Sequence, residues 1–303
     1  MRRLTLISCV VLTSLLLIAP SALATTRVVP TDYSTIQAAI DSAISGDSIL
    51  VLPGTYTENL SCSGKVLVVV GRGGADSTII QPSNTSVNTI RILAGSGVGS
   101  ELTGFTLRNG VAKHVIEVTG ASPWIHHNII RDNVSYEANA TEIGCVSSNP
   151  VIERNLFIHN RSIGGVGVFS GSATIVNNTF DDNSRGFWSQ GTNVVAENNI
   201  VSNSVQFGIG DDGFSSAKYN CVFGNNPDYA AGAVPGANNL DADPLYTNPG
   251  ADYYRIQTNS PCVDAGDPNP IYNDPNGTRN DIGAFWACQL TGDADCDTVP
   301  DAV

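Results

Sequence analysis

Asn128-Ile129-Ile130-Arg131-Asp132-Asn133, Asn155-Leu156-Phe157-Ile158-His159-Asn160 and Asn178-Thr179-Phe180-Asp181-Asp182-Asn183 are versions of one phrase, two asparagines five positions apart around a short apolar run. The phrase returns from Asn198 to Asn203 and from Asn220 to Asn225, and a diverged copy runs from Gly104 to Asn109. Successive copies start 20 to 27 residues apart. Each unit holds two or three short β-like runs divided by Asn, Gly and Ser, with no helical periodicity between them. A β-rich unit of this length cannot bury its own apolar face and has to stack on its neighbours. Three short strands per unit, coiling into parallel sheets, give an all-β solenoid, a single-stranded parallel β-helix with rungs about 4.8 Å apart.

The repeated asparagines are read as structural. Asn tolerates the left-handed backbone of a sharp corner, and stacked Asn side chains hydrogen-bond along such a rod. The ends depart from the repeat. Ser34-Thr35-Ile36-Gln37 reads as a capping box. Ile36, Ala39, Ile40 and Ala43 follow at helical spacing, and Gly46 closes the element. This predicts a short N-terminal α-helix that caps the open end of the coil. Asp47–Leu52 and Lys65–Val70 read as strands, and the turn-rich stretch from Asp243 to Phe285 reads as irregular closing strands.

The first residues stand apart from the fold. Met1-Arg2-Arg3, the apolar run Leu4 to Ile18 and Ala22-Leu23-Ala24 have the order of a secretory signal peptide. Residues 1–24 are therefore expected to be removed, and 25–287 to form the β-helix with its cap and closing strands. No second apolar stretch is long enough to span a bilayer. A secreted, monomeric protein is expected. The formal net charge is −13, with 15 basic and 28 acidic side chains. Loss of Arg2 and Arg3 leaves 13 against 28, a net of −15. Such a balance argues against nucleic acid as a partner, because a phosphate backbone needs a basic face. Of the seven cysteines, Cys9 leaves with the leader. Cys145 sits in an apolar strand pattern, and Cys288 and Cys296 are near enough in sequence to pair.

Two segments resemble a known family. Thr35 to Ile40, Gly46-Asp47 and Pro53-Gly54-Thr55-Tyr56-Thr57-Glu58-Asn59 resemble the opening of secreted right-handed parallel β-helix proteins of the pectin-lyase-like superfamily. Ser260-Pro261-Cys262-Val263-Asp264-Ala265-Gly266 and Arg279-Asn280-Asp281-Ile282-Gly283-Ala284 resemble their close. The resemblance spans residues 26 to 287 and implies a right-handed coil. It implies no single activity, since lyases, hydrolases, esterases, epimerases and non-catalytic surface proteins share this fold. The motif segments of the methylesterases, polygalacturonases and pectate lyases are missing, and Trp124-Ile125-His126-His127 matches the last only superficially.

Chemistry on such a rod belongs on an outer face, where successive rungs form ladders. Placing Ile116, Val118, Ile143, Cys145, Val166, Val168, Phe187, Phe207 and Ile209 inward turns Glu117, Glu142, several glycines and Trp188 outward. Lys113 and Arg185 then stand at the margin. Carboxylates of Glu117 and Glu142 on neighbouring rungs would lie about 5 Å apart, suited to acid–base work or a shared cation. An outward Trp188 offers a flat surface for a sugar ring. The alternative is a solvated face with scattered charges. Asp211-Asp212-Gly213 reads either as a turn or as an acidic pair that binds substrate. Lys113 and Arg131 lie at different phases of the repeat and do not share a face. His126 and His127, adjacent in a strand, are expected on opposite faces.

The tail, residues 288–303, holds Asp293, Asp295, Asp297 and Asp301 at positions 1, 3, 5 and 9 of a calcium loop. It resembles dockerin and thrombospondin type 3 loops, but Thr298 replaces the expected glycine and position 12 falls past Val303. Calcium is the cofactor this pattern admits; a plain acidic tail is the other reading. Two functions follow. One is a secreted protein that binds or cleaves an acidic, uronic-acid-containing polysaccharide as a lyase or hydrolase. The other is a non-catalytic adhesive or structural module of the cell surface.

Overall fold

The computed structural model describes residues 23–161, 164–210, 214–230, 232–285 and 287. They form a right-handed parallel β-helix of about nine turns. Three parallel sheets of nine, eight and eight strands run the length of the rod. One full turn shows the plan. Trp124–His126 lies in the first sheet, Ile129–Arg131 in the second and Thr141–Val146 in the third. The next turn repeats it with Val151–Glu153, Leu156–Ile158 and Val166–Val168, each in register on the strand before.

The core is three rows of stacked side chains, one per sheet. Ile49, Val69, Leu102, Ile125, Ile152, Ile175 and Ala196 form the first row. Ile80, Leu107, Ile130, Phe157, Phe180, Val201 and Val222 form the second. Ile90, Ile116, Ile143, Val166, Phe187 and Ile209 form the third. Every one of these side chains is buried. Parallel strands in register put like beside like, so a repeat in sequence becomes a continuous apolar column. Cys145 belongs to this interior, as expected. Cys62, Cys145, Cys221 and Cys262 are free thiols; Cys288 and Cys296 lie outside the described residues.

The asparagines stack as expected, with two corrections. In the first ladder, Asn128, Asn155, Asn178, Asn199 and Asn220 are joined Nδ2 to Oδ1 at 3.0–3.1 Å. A second ladder joins Asn133, Asn160 and Asn183. The left-handed corner is not the ladder asparagine itself but the residue before it: His127, Arg154, Asn177, Asn198 and Tyr219 have φ between 50° and 59°. The fifth repeat is consequently out of phase by one, since Asn198 is the corner and Asn199 the ladder member.

The helix is present over Ile36–Ser42, and Ile36, Ala39 and Ile40 enter the core. Its cap differs from the capping box. Thr35 is the N-cap and accepts from Ala38 N. Glu58, from a later loop, accepts from Ile36 N and Gln37 N and so satisfies two first-turn donors that the capping box would leave open. At the other end, Tyr246–Asn248 and Tyr253–Ile256 form an antiparallel pair. With Cys262 and Ile282 they cover Leu156, Ile158, Ile200 and Cys221 on the outside of the second sheet. Among the described residues no helix is long and apolar enough to cross a membrane.

Candidate functional site

The outer face of the third sheet is the expected site, and its ladder reads Arg91, Glu117, Gly144, Gly167, Trp188, Gly210. Glu117 does face outward. Its rung neighbour is Gly144, two residues past Glu142, so the two glutamates do not stack. Glu117 instead pairs with Arg91 at 2.9 Å and accepts from Asn88 and Thr119. These partners hold its carboxyl below the usual range against the opposing pull of partial burial. Glu142 is 1% exposed, which removes it from a solvent-facing carboxylate pair.

The glycines explain the second departure. A side chain on Gly144 would collide with the His114 ring, and one on Gly167 with the Trp188 ring and Thr141. Glycine ladders leave a shallow trough, and bulky neighbours fold flat into it. His114, Phe169 and Trp188 thus form an edge-to-face chain with ring centres 5.7 and 4.8 Å apart. Trp188 is 8% exposed and offers no free stacking surface. Lys113 stands over the Phe169 ring at 5.6 Å. Arg185 donates to Gln206 and lies over Phe207 at 4.7 Å. Phe207, expected inward, packs outside against Gly210. Asp211, Asp212, Asp293, Asp295, Asp297 and Asp301 lie outside the described residues.

Burial, with help from Lys113, depresses the His114 pKa to about 4 from 6.5. The fold prefers the neutral ring, so between these values the unfolded chain binds more protons. His114 therefore contributes stability that is full above about pH 6.5 and lost as pH falls toward 4, by up to about 3 kcal/mol. Thermal unfolding midpoints from pH 7 to 4 should fall, and His114→Gln should flatten the profile. Equal steepness in both proteins would refute this.

A site that the sequence did not disclose lies where the C-terminal cover ends. A cavity of about 510 Å³ opens between the corner of the first and second sheets and the Asp252–Arg255 segment. Its walls include Arg72, His127, Arg154, Tyr253, Tyr254, Arg255 and Phe285. A second hollow of about 360 Å³ shares Asp76, Ile129, Leu156 and Asp252 with it and adds Arg108, Arg131 and Asp132. The two make one cleft with five arginines and three aspartates. Its local charge is positive on a chain of net −13.

Each arginine is placed by the repeat. Arg108 and Arg131 are rung neighbours pointing out of the second sheet. Arg154 occupies a left-handed corner, and Arg72 follows a first-sheet strand that ends at Gly71. Arg131 is held by Asp132 and Asp252, both at 2.6 Å. Arg72 is exposed and makes no ion pair among the described residues, and the Nε of Arg108 is buried without a hydrogen-bond partner. These two guanidiniums are the ones left for an incoming anion.

His127 stands at the rim. Because it sits at a corner with φ 52° and not in a strand, it turns toward His126, and their Nδ1 atoms are 2.7 Å apart. This corrects the expectation of opposite faces. Burial, then His126 and Arg154, depress the His127 pKa to about 4, which leaves its ring neutral at neutral pH. His126 bonds Glu101 through Nε2 at 3.0 Å and stacks on Trp124 at 3.7 Å. Trp124 is 41% exposed and open to solvent. The arrangement can bind an anion, stack a ring and accept a proton.

The right handed beta helix region family matches residues 77–243. The crystal structure of pectate lyase Pel9A aligns at 13% identity, over 83% of this chain and 90% of that one, with a TM-score of 0.43. The structure of the PL6 family alginate lyase AlyGC aligns at 11% identity, over 72% and 38% of the two chains, with a TM-score of 0.35. No curated protein matches the chain.

Proposed function

The chain belongs to the right-handed β-helix family, and from that scaffold we propose that it is an exported protein binding an acidic, uronic-acid-containing polysaccharide in the arginine-lined cleft. The observation that carries this reading is five arginines gathered beside Tyr253, Tyr254 and Phe285 on an acidic chain. Guanidinium forks match carboxylates geometrically and attract them at a distance. Aromatic walls suit the apolar faces of sugar rings. The leader-like residues 1–24 support export.

For turnover, the cleft supports proton abstraction beside a carboxylate. An arginine neutralises the uronate and neutral His127 takes the proton from the carbon beside it; the freed electron pair forms the double bond as the β carbon–oxygen bond breaks, and the departing oxygen takes a proton from water. Binding without turnover is the second reading. It is favoured by the ion-paired Glu117 and the buried Glu142, which leave no paired carboxylates among the described residues of the third sheet's outer face.

The double variant Arg72→Ala/Arg108→Ala should weaken binding to polygalacturonate or alginate oligomers at least tenfold by calorimetry, and added salt should weaken the parent protein likewise. Unchanged affinity would refute the cleft. Release of unsaturated product by the parent and its loss in His127→Ala would establish a lyase; binding without product or new reducing ends would establish the second reading.

A further inference from the structure

Asp264, Asp274 and Asp281 lie in the closing segment, outside the arginine cleft. One carboxylate oxygen from each falls within 4.8 Å of the other two. Asp274 and Asp281 are only 4% and 2% exposed. Backbone amides satisfy part of the cluster. Asp281 accepts from Asp264 N and Ala287 N, both at 2.7 Å, and Asp274 Oδ2 accepts from Asp281 N at 2.9 Å. Asp274 Oδ1 is buried with no hydrogen-bond partner among the described residues. A buried carboxylate oxygen left bare costs free energy that a ligand would recover. Arg154 acts electrostatically on both Asp274 and Asp281. When all three carboxylates are ionised, one guanidinium leaves a charge of −2.

We propose that Asp264, Asp274 and Asp281 form a calcium site that fastens the closing segment to itself beside Arg154. The donors are all hard oxygens, and the residual charge matches a divalent cation. Calcium binds oxygen at about 2.4 Å, so two ligands of one ion can stand as far as about 4.8 Å apart. Magnesium keeps most of its waters and takes only one or two carboxylates, so three protein carboxylates suit calcium better. The ion would tie the corner at Asp264 to the loop from Asp274 to Asp281. It would also set the charge that Arg154 meets behind the cleft rim. The inference is independent of the polysaccharide reading.

The test uses the full chain stripped with a chelator and titrated with calcium chloride, followed by calorimetry and thermal unfolding. Calcium is expected to bind and raise the unfolding temperature by several degrees. Asp274→Asn should weaken binding at least tenfold and abolish the rise. Asp264→Asn, altering an exposed side chain, should do the same should the buried substitution impair folding. The tail variant Asp293→Asn/Asp295→Asn should keep the response. The site is overturned by no calcium-dependent rise in the parent, by a parental response in either cluster variant, or by loss of the response in the tail variant. An equal rise with magnesium chloride would overturn the assignment to calcium.

Discussion

Asn178→Ala is expected to destabilise the protein by about 3–5 kcal/mol, although the position does not line the cleft and is no member of the apolar core columns. Asn178 Oδ1 accepts from the backbone N and the side-chain Nδ2 of Asn155, at 3.0 and 3.1 Å. Its own Nδ2 donates to Ile152 O, Val176 O and Asn199 Oδ1 at 2.8–3.0 Å. All of these groups sit inside the corner, out of reach of water. Alanine deletes five hydrogen bonds at once and leaves the Asn155 amide and two carbonyls without the partner they have here. Each such buried orphan costs about 1–3 kcal/mol. Asn178→Asp should be no milder, because its second oxygen would face two carbonyls. Urea unfolding followed by tryptophan fluorescence measures the loss. A change below about 1 kcal/mol would show that the ladder is ornamental.

Phe180→Ala should cost a similar 3–5 kcal/mol by a different route. Phe180 is fully buried and lies nearly parallel to Phe157, with ring centres 4.4 Å apart. Phe187 meets it from the third sheet at 5.5 Å. Removing the ring opens a void bounded by strands hydrogen-bonded to the rungs on either side, so the walls cannot close in. Phe180→Leu fills most of that space and should cost less than half as much. Equal loss from both substitutions would mean that ring stacking, not volume, is what the column needs.

The limits of legibility have specific causes. The repeat of Asn128, Asn155 and Asn178 exposes the solenoid because each asparagine serves the same corner on every turn. Burial parity along Ile116–Val118 and Val166–Val168 is equally readable, since a two-residue period has only two phases. Glu142 does not join Glu117 because strand pairing sets rung neighbours, and Gly144, not Glu142, falls beside Glu117. Trp188 is outward yet buried, because glycines on the neighbouring rung make room for its ring. The opening toward His126 by His127 depends on one left-handed residue, and a pattern of alternation carries no sign of it.

The amino-acid order determined the coil, its three columns and its asparagine ladders, because these are local and periodic: each rung repeats the solution of the one before. The cleft was decided only in three dimensions. Arg72, Arg108, Arg131, Arg154 and Arg255 are scattered over 184 positions from first to last. They meet because a coil of parallel rungs brings the first four to one corner, and the closing segment folds back to deliver Arg255. The same return brings Asp264, Asp274 and Asp281 together. Such non-periodic encounters have no signature in spacing, since what joins them is the path of a chain doubling back along its own surface.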